Sequence, residues 1–312
     1  MLKVAHIPFT FFPDPVGGTE IYVNALAREL RNFGIESIIA APSNSGLDER
    51  YDYFGVRVYR YRWAKVSKTL LHELYGDGDP EAGKAFSEIL EHEMPDIVHL
   101  HAATRAVSIH LVRAAKSRRI PVTFTYHTPT VSCQRGTLMR WGTDICDGAI
   151  EPRRCAECVL MGEGLPRWLT MPLSRVPSRI AKALERGGRN GGVWTALRMT
   201  DLMRSRRAAF DTLMQEVDGV VALREWIKAL LIKNGVSDSK ISVSQHGLIG
   251  LGDESRGAID VTSVPLRIAF LGRADRVKGI DQLVRAITAA PELAIELDLY
   301  CVVQQESDLL LL

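Results

Sequence analysis

The chain has 312 residues, 46% hydrophobic and 24% charged, enough for one large or two ordinary α/β domains with cores of their own. Its 39 basic and 37 acidic residues leave a net charge of +2, which argues against nucleic acid as a partner. No apolar run reaches the roughly 18 residues that span a bilayer, Met1 leads into a strand-like run without a basic leader, and five cysteines in a chain of this length make no disulfide scaffold. A cytoplasmic, reducing setting is the expectation.

Short apolar, β-branched runs alternate with helical patterns. In chain order the spacing predicts strands at Lys3–Ile7, Ser37–Ala41, Val56–Tyr61, Ile97–His101, Pro121–Tyr126, Gly219–Leu223 and Ile241–Gln245. Helices are predicted at Thr19–Phe33, Glu81–His92, Thr104–Ser117 and Glu225–Asn234. Runs such as DIVHLH and PVTFTY are apolar at almost every position, as strands covered on both faces should be. Strand–helix alternation of this kind predicts an α/β fold with a doubly wound parallel sheet, Rossmann-like in type. Residues 247–264 read as a linker, short on large apolar side chains and rich in glycine. The pattern then restarts with a strand at Leu266–Leu271, a helix at Ile280–Ala289 and a strand at Glu296–Val303. So short a segment buries little core, and residues 265–312 are expected to be the start of a second domain that continues past Leu312. The tail Leu309–Leu312 fits such a break or a docked C-terminal strand.

Several signatures follow one another: a strand and glycine turn in PFTFFPDPVGGTEIYVNALARELRNFG, then DIVHLH, TFTYHTP and VVALREWIKALLIKNGVSDSKISVSQHGL, and after the linker LRIAFLGRADRVKGIDQLVRAI. Together they resemble family 4 of the GT-B glycosyltransferases, enzymes that transfer sugar from nucleotide sugars with retention of anomeric configuration. The resemblance runs from Met1 to about Cys301, apart from a central insertion. It implies an acceptor-side domain at 1–246 and a nucleotide-sugar-binding domain beginning at 265. It also implies a hydroxyl acceptor, on a glycan or a lipid-linked molecule, and no cofactor for catalysis.

Site residues follow from both readings. Gly17 and Gly18 precede a predicted helix whose first N–H groups attract anions, although such a pair also serves as a plain tight turn. The dinucleotide pattern G-x-G-x-x-G is absent, which disfavours an NAD-dependent enzyme. The resemblance sets this loop facing the donor diphosphate and acceptor; Glu20 reads as a first-turn dipole partner. In GRADRVKG, Arg273 and Lys278 match the family's diphosphate clamp, two fixed cations that stabilise the leaving group without a metal. His127 matches the position that contacts the donor sugar, and His101 a strand end lining the cleft. His99 is expected on the opposite side of the sheet. The family's E-x7-E motif does not occur after Lys278: eight residues on from Glu292 and Glu296 stand Tyr300 and Gln304. The 312-residue chain is therefore expected to be inactive by itself. A non-catalytic binding protein of the same fold is the alternative.

Two regions stand outside the family pattern. The insertion at 128–166 holds Cys133, Cys146, Cys155 and Cys158, spaced C-x12-C-x8-C-x2-C. This clustering suits a tetrahedral zinc site that staples a stretch with few core residues, while an iron–sulfur cluster, two disulfides or four buried thiols remain open. From Arg167 to Arg207 there are ten basic residues against Glu185 and Asp201, in a helical region spanning 167–217. It reads either as a surface for peripheral contact with an anionic membrane, on its inner face, or as amphipathic helices with solvated arginines.

Overall fold

The computed structural model describes residues 1–14, 17–64, 71–187, 191–247, 265–273 and 278–302. Residues 248–264 of the expected linker, Ala274–Val277 of the basic motif, Val303 and the tail Leu309–Leu312 lie outside them. Backbone proximity divides the chain into two units, Met1–Ile249 and Gly250–Leu312.

The first unit opens with β1 (Lys3–Ile7), α1 (Gly18–Asn32), β2 (Glu36–Pro42), β3 (Glu49–Tyr53), β4 (Val56–Tyr61), α2 (Leu71–Tyr75), α3 (Pro80–Glu93), β5 (Ile97–Leu100), α4 (Ile109–Lys116) and β6 (Val122–Tyr126). The insertion adds a small hairpin, β7 (Met139–Arg140) and β8 (Asp144–Ile145), then α5 (Pro152–Gly162). Then come α6 (Arg167–Leu173), α7 (Ser178–Arg186), the long α8 (Gly192–Glu216), β9 (Gly219–Ala222), α9 (Glu225–Lys233) and β10 (Ile241–Val243). Among the described residues the main sheet has eight strands in the order β10-β9-β6-β5-β1-β2-β4-β3. Every pairing in it is parallel except that of β3 with β4.

Burial explains the layers. β1 and β2 are buried along nearly their whole length, because helices cover both faces. On one face, Val23 and Ala27 of α1 pack with Phe11, Ile39, Ala41, Val56 and Val58. On the other, Phe86 and Leu90 of α3, Leu111 and Val112 of α4, and Phe210 and Leu213 of α8 form the principal core with β5, β6 and β9. Phe86 is fully buried there, and its truncation to alanine would cost about 3–5 kcal/mol.

Three differences from the sequence reading have physical causes. Polar, exposed β3 pairs antiparallel at the sheet edge through the two-residue turn Phe54–Gly55, where both residues have positive φ. Phenylalanine at the first of these positions hides a turn normally announced by asparagine or glycine. α4 starts at Ile109 rather than Thr104, because the Ser108 hydroxyl caps it by accepting from the His110 N–H. The insertion also has more core than expected: Ala156, Val159 and Leu160 of α5 pack with Tyr75, Met199, Leu202 and Met203.

The basic region is partly internal. Arg198 is buried and pairs with Glu185, and Arg207 pairs with Asp211. Trp168 and Val193 are exposed. Among the described residues no helix is long and apolar enough to cross a membrane.

The second unit contains β11 (Leu266–Arg273), α10 (Ile280–Thr288) and β12 (Ile295–Val302), with the two strands paired in parallel.

Candidate functional site

β1 and β5 are neighbours at the middle of the sheet, yet the chain winds outward through β2 on one side and through β6 on the other. At such a reversal the loops leave in opposite directions and open a crevice at the strand C-termini. Histidines gather at this end. His6 lies on β1, His99 on β5, His101 just after β5, His127 just after β6 and His246 beyond β10. The β1–β5 register sets His6 directly beside His99.

Ring centroids lie 5.4 Å apart for His6 and His101, 5.2 Å for His101 and His127, and 4.9 Å for His127 and His246. Tyr22 of α1 stacks on His246 at 4.0 Å. His99 does not face away as expected. Residues two apart on a strand share a face, and the His99 and His101 rings lie 3.9 Å apart.

These imidazoles are bonded to one another. His6 Nδ1 pairs with His101 Nε2 at 3.1 Å, and His101 Nδ1 with His127 Nε2 at 2.9 Å. His6 Nε2 reaches the Ser37 hydroxyl at 3.4 Å, and His99 Nε2 the Thr125 hydroxyl at 2.7 Å. Burial above all drives the ring pKa values down, to about 3 for His6, about 4 for His99 and about 3 for His127, and well below the ordinary value for His101. Neighbouring imidazoles add to the effect at His6, His101 and His127. His246 is lowered by burial and by the Arg224 charge.

The cluster is therefore neutral near pH 7, and each ring has one N–H and one lone pair. His101 must donate on one side and accept on the other, so the tautomers of His6, His101 and His127 run in a single direction. The chain ends at His127 Nδ1, which is buried and has no partner among the described residues. Whether that atom offers a proton or a lone pair depends on the direction of the whole chain. Although nitrogens of His6, His99 and His101 lie within 4.8 Å of one another, His6 and His101 spend theirs on the relay.

The glycine turn enters the same end. Gly17 caps α1 and Gly18 is its first residue; both are exposed. Gly18 and Tyr22 lie one turn apart on one helix face. Glu20 is buried, and its carboxylate accepts from the Gly17 N–H at 2.9 Å. That amide is already occupied by an anionic group. A Cβ at Gly18 would meet nothing within 4 Å, so the space before it is open. The loop is anchored by buried Arg60, which donates to Phe11 O and Pro42 O, both at 2.8 Å, and pairs with Asp14.

The structure thus brings His101 and His127 together and, separately, lines one cavity with Cys133, Cys146, Cys155 and Cys158. Arg273, the last residue of β11, and exposed Lys278, before Gly279 and α10, belong to the second unit. Sequence reasoning missed His6, Tyr22, His246 and Arg224. The available signals were a histidine inside KVAHI and the strand-end segments ALREW and SQHG.

The family of glycosyl transferase 4-like domains matches residues 17–246, and the chain belongs to it. No curated protein matches the sequence. Among solved structures the chain is similar to sucrose-phosphate synthase from Thermosynechococcus elongatus, with 15% identity and a TM-score of 0.54 over 96% of this chain and 62% of that one. It also matches HepE from Anabaena, solved with UDP and glucose, at 13% identity and a TM-score of 0.49 over 96% and 61% of the two chains. MurG from Acinetobacter baumannii follows at 10% identity and a TM-score of 0.43, over 98% of this chain and 68% of that one. The likeness to the synthase, of which this chain spans less than two thirds, shows the α/β fold of GT-B glycosyltransferases.

Proposed function

We propose that the chain carries the acceptor-side domain of an enzyme that moves a sugar from a nucleotide-sugar donor to a hydroxyl, on a glycan or a lipid-linked acceptor, with retention of anomeric configuration. The observation that carries this reading is the imidazole relay ending at the unpaired His127 Nδ1, at the strand-order reversal of a glycosyl transferase 4-like domain. A neutral imidazole there holds a sugar hydroxyl as donor or acceptor. His101 and His6 set its tautomer and allow a proton to shift inward toward Ser37. The open space before Gly18 admits the donor phosphates, with the α1 N-terminus favouring their charge. Arg273 and Lys278 take the role of cations for the leaving diphosphate. Exposed Trp168 and Val193, on basic helices, support peripheral contact with an anionic membrane; vesicle co-sedimentation that falls with added salt is the expected result.

The test is sugar transfer by the whole enzyme that carries this domain, from a panel of nucleotide sugars to hydroxyl acceptors. His127→Ala is expected to lower turnover by about 100-fold or more, the range of a lost proton-transfer or polarising group. Lys278→Ala is expected to lower it by at least about tenfold, the loss of one charge contact on the leaving group. Folded variants that turn over like the wild type would refute these roles.

A further inference from the structure

The cysteines of the insertion are brought together by local structure. On α5, Cys155 and Cys158 are three residues apart and share a face. Cys146 follows β8, its N–H donating to Leu138 O at 2.8 Å, and Cys133 ends a tight turn in which its N–H donates to Pro129 O at 2.7 Å. All four side chains line one cavity of about 40 Å³. That volume suits a single ion with drawn-in ligands, since one water needs roughly 10–15 Å³ by the same measure.

The surroundings are rich in donors and cations. The Trp141 backbone N–H donates to Cys158 Sγ at 3.3 Å, and Arg135 Nη1 approaches the same sulfur at 3.9 Å. Arg206 of α8 lies near enough to Cys133 and Cys155 for their negative charge to favour its ionised form. Its Nη2 donates to Thr130 O, its Nε is buried without a partner, and no carboxylate among the described residues pairs with it. Arg206 is half-buried, and a guanidinium drawn partly out of water without a counter-charge is destabilising. Neutral thiols or disulfides would leave Arg206 in that state. Four thiolates around a dication carry two negative charges, which Arg206 and Arg135 are placed to balance.

We propose that Cys133, Cys146, Cys155 and Cys158 hold one structural Zn²⁺ ion, with Arg206 and Arg135 as its charge-balancing outer shell. Zinc is bound by all four thiolates with no open position, so it braces the insertion and takes no part in chemistry. Among the described residues no three of these sulfurs lie within 4.8 Å of one another. A tetrahedron with Zn–S of about 2.3 Å has edges of about 3.8 Å, so loading draws the β7–β8 hairpin toward α5 and releases the thiol protons. The insertion has apolar packing of its own with α8, so metal loss should loosen this part of the unit without unfolding the sheet.

The test is elemental analysis of the untagged protein purified anaerobically, with cobalt substitution as a second reading. About one zinc per chain is expected, along with thiolate-to-cobalt charge-transfer bands of a four-sulfur site in the exchanged protein. Cys146→Ser should lose those bands. Arg206→Met should keep the ligands and weaken zinc binding by about tenfold or more, as outer-shell changes do. Zinc below about 0.2 per chain, stoichiometric iron with sulfide, or thiol titration showing two disulfides would each overturn the proposal. So would an Arg206→Met variant with unchanged zinc affinity.

Discussion

The two ends of the central sheet are built from opposite materials. At the N-terminal end of the strands, Glu93 is almost fully buried and held by Lys3 at 3.1 Å, Arg57 at 3.1 Å and the Tyr59 hydroxyl. Burial pushes the Glu93 carboxyl up, but the hydrogen bonds from Tyr59 and Lys3 and the charges of Arg57 and Lys3 outweigh it and hold the group below its ordinary value. At the C-terminal end stand neutral imidazoles bonded mostly to one another, with one buried nitrogen left over on His127. A paired charge network fixes structure and leaves nothing to offer a ligand. A neutral relay with an unspent end keeps donor or acceptor capacity in reserve.

Acid separates the two ends, with the largest expected effect. The imidazoles have folded pKa values near 3 to 4 against about 6.5 unfolded, so the unfolded chain binds more protons below pH 6.5. Their contribution is complete above that pH and is lost as pH falls toward 3, on the order of 1 kcal/mol per pH unit for each ring. Glu93 also has a lowered pKa, so its contribution fades only below the ordinary carboxylate range. Denaturant unfolding between about pH 7 and pH 5 should therefore show a loss of several kcal/mol that His6→Leu makes shallower and Glu93→Gln leaves unchanged in slope. Equal slopes for wild type and His6→Leu would break the comparison.

Next in size, Glu93→Ala should lower stability by about 3 kcal/mol, because Lys3 and Arg57 lose the more buried of the two carboxylates they share, Glu36 being the other. In the whole enzyme proposed above, its turnover per folded molecule should stay within about twofold of wild type, since no reacting group is assigned to that end. A matching loss of turnover would contradict the division of roles. The smallest effect is at Thr125→Val, which removes the hydroxyl paired with His99 at 2.7 Å. About 1 kcal/mol of stability is expected to go, measured as a shift in the unfolding midpoint.

Much of the sheet was legible because its strands are covered on both faces: β1 and β4 begin and end where their apolar runs do. β3 was not legible, since its charged side chains face water and its turn lacks the usual residues. His101 and His127 stood out at strand ends. His6 did not, because a single polar residue inside a buried run looks like noise until the β1–β5 register sets it against His99. His246 fell at the border of the expected linker, and its stacking on Tyr22 joins residues far apart in the chain. The cysteine clustering was visible from spacing alone, whereas the unmatched charge of Arg206 beside it emerges only when α8 folds back over the insertion.

The central proposal is that sugar transfer by the whole enzyme uses the C-terminal end of the first unit's sheet, with His127 as its contact. Histidine-ring nitrogen NMR, during titration with a panel of nucleotide sugars and hydroxyl acceptors, tests it most directly. The account predicts neutral rings for His6, His101 and His127 near pH 7, with ligand moving the His127 and His246 signals and leaving exposed His92 in place. Ligand binding that leaves His127 unmoved, or no response to any member of the panel, would contradict it.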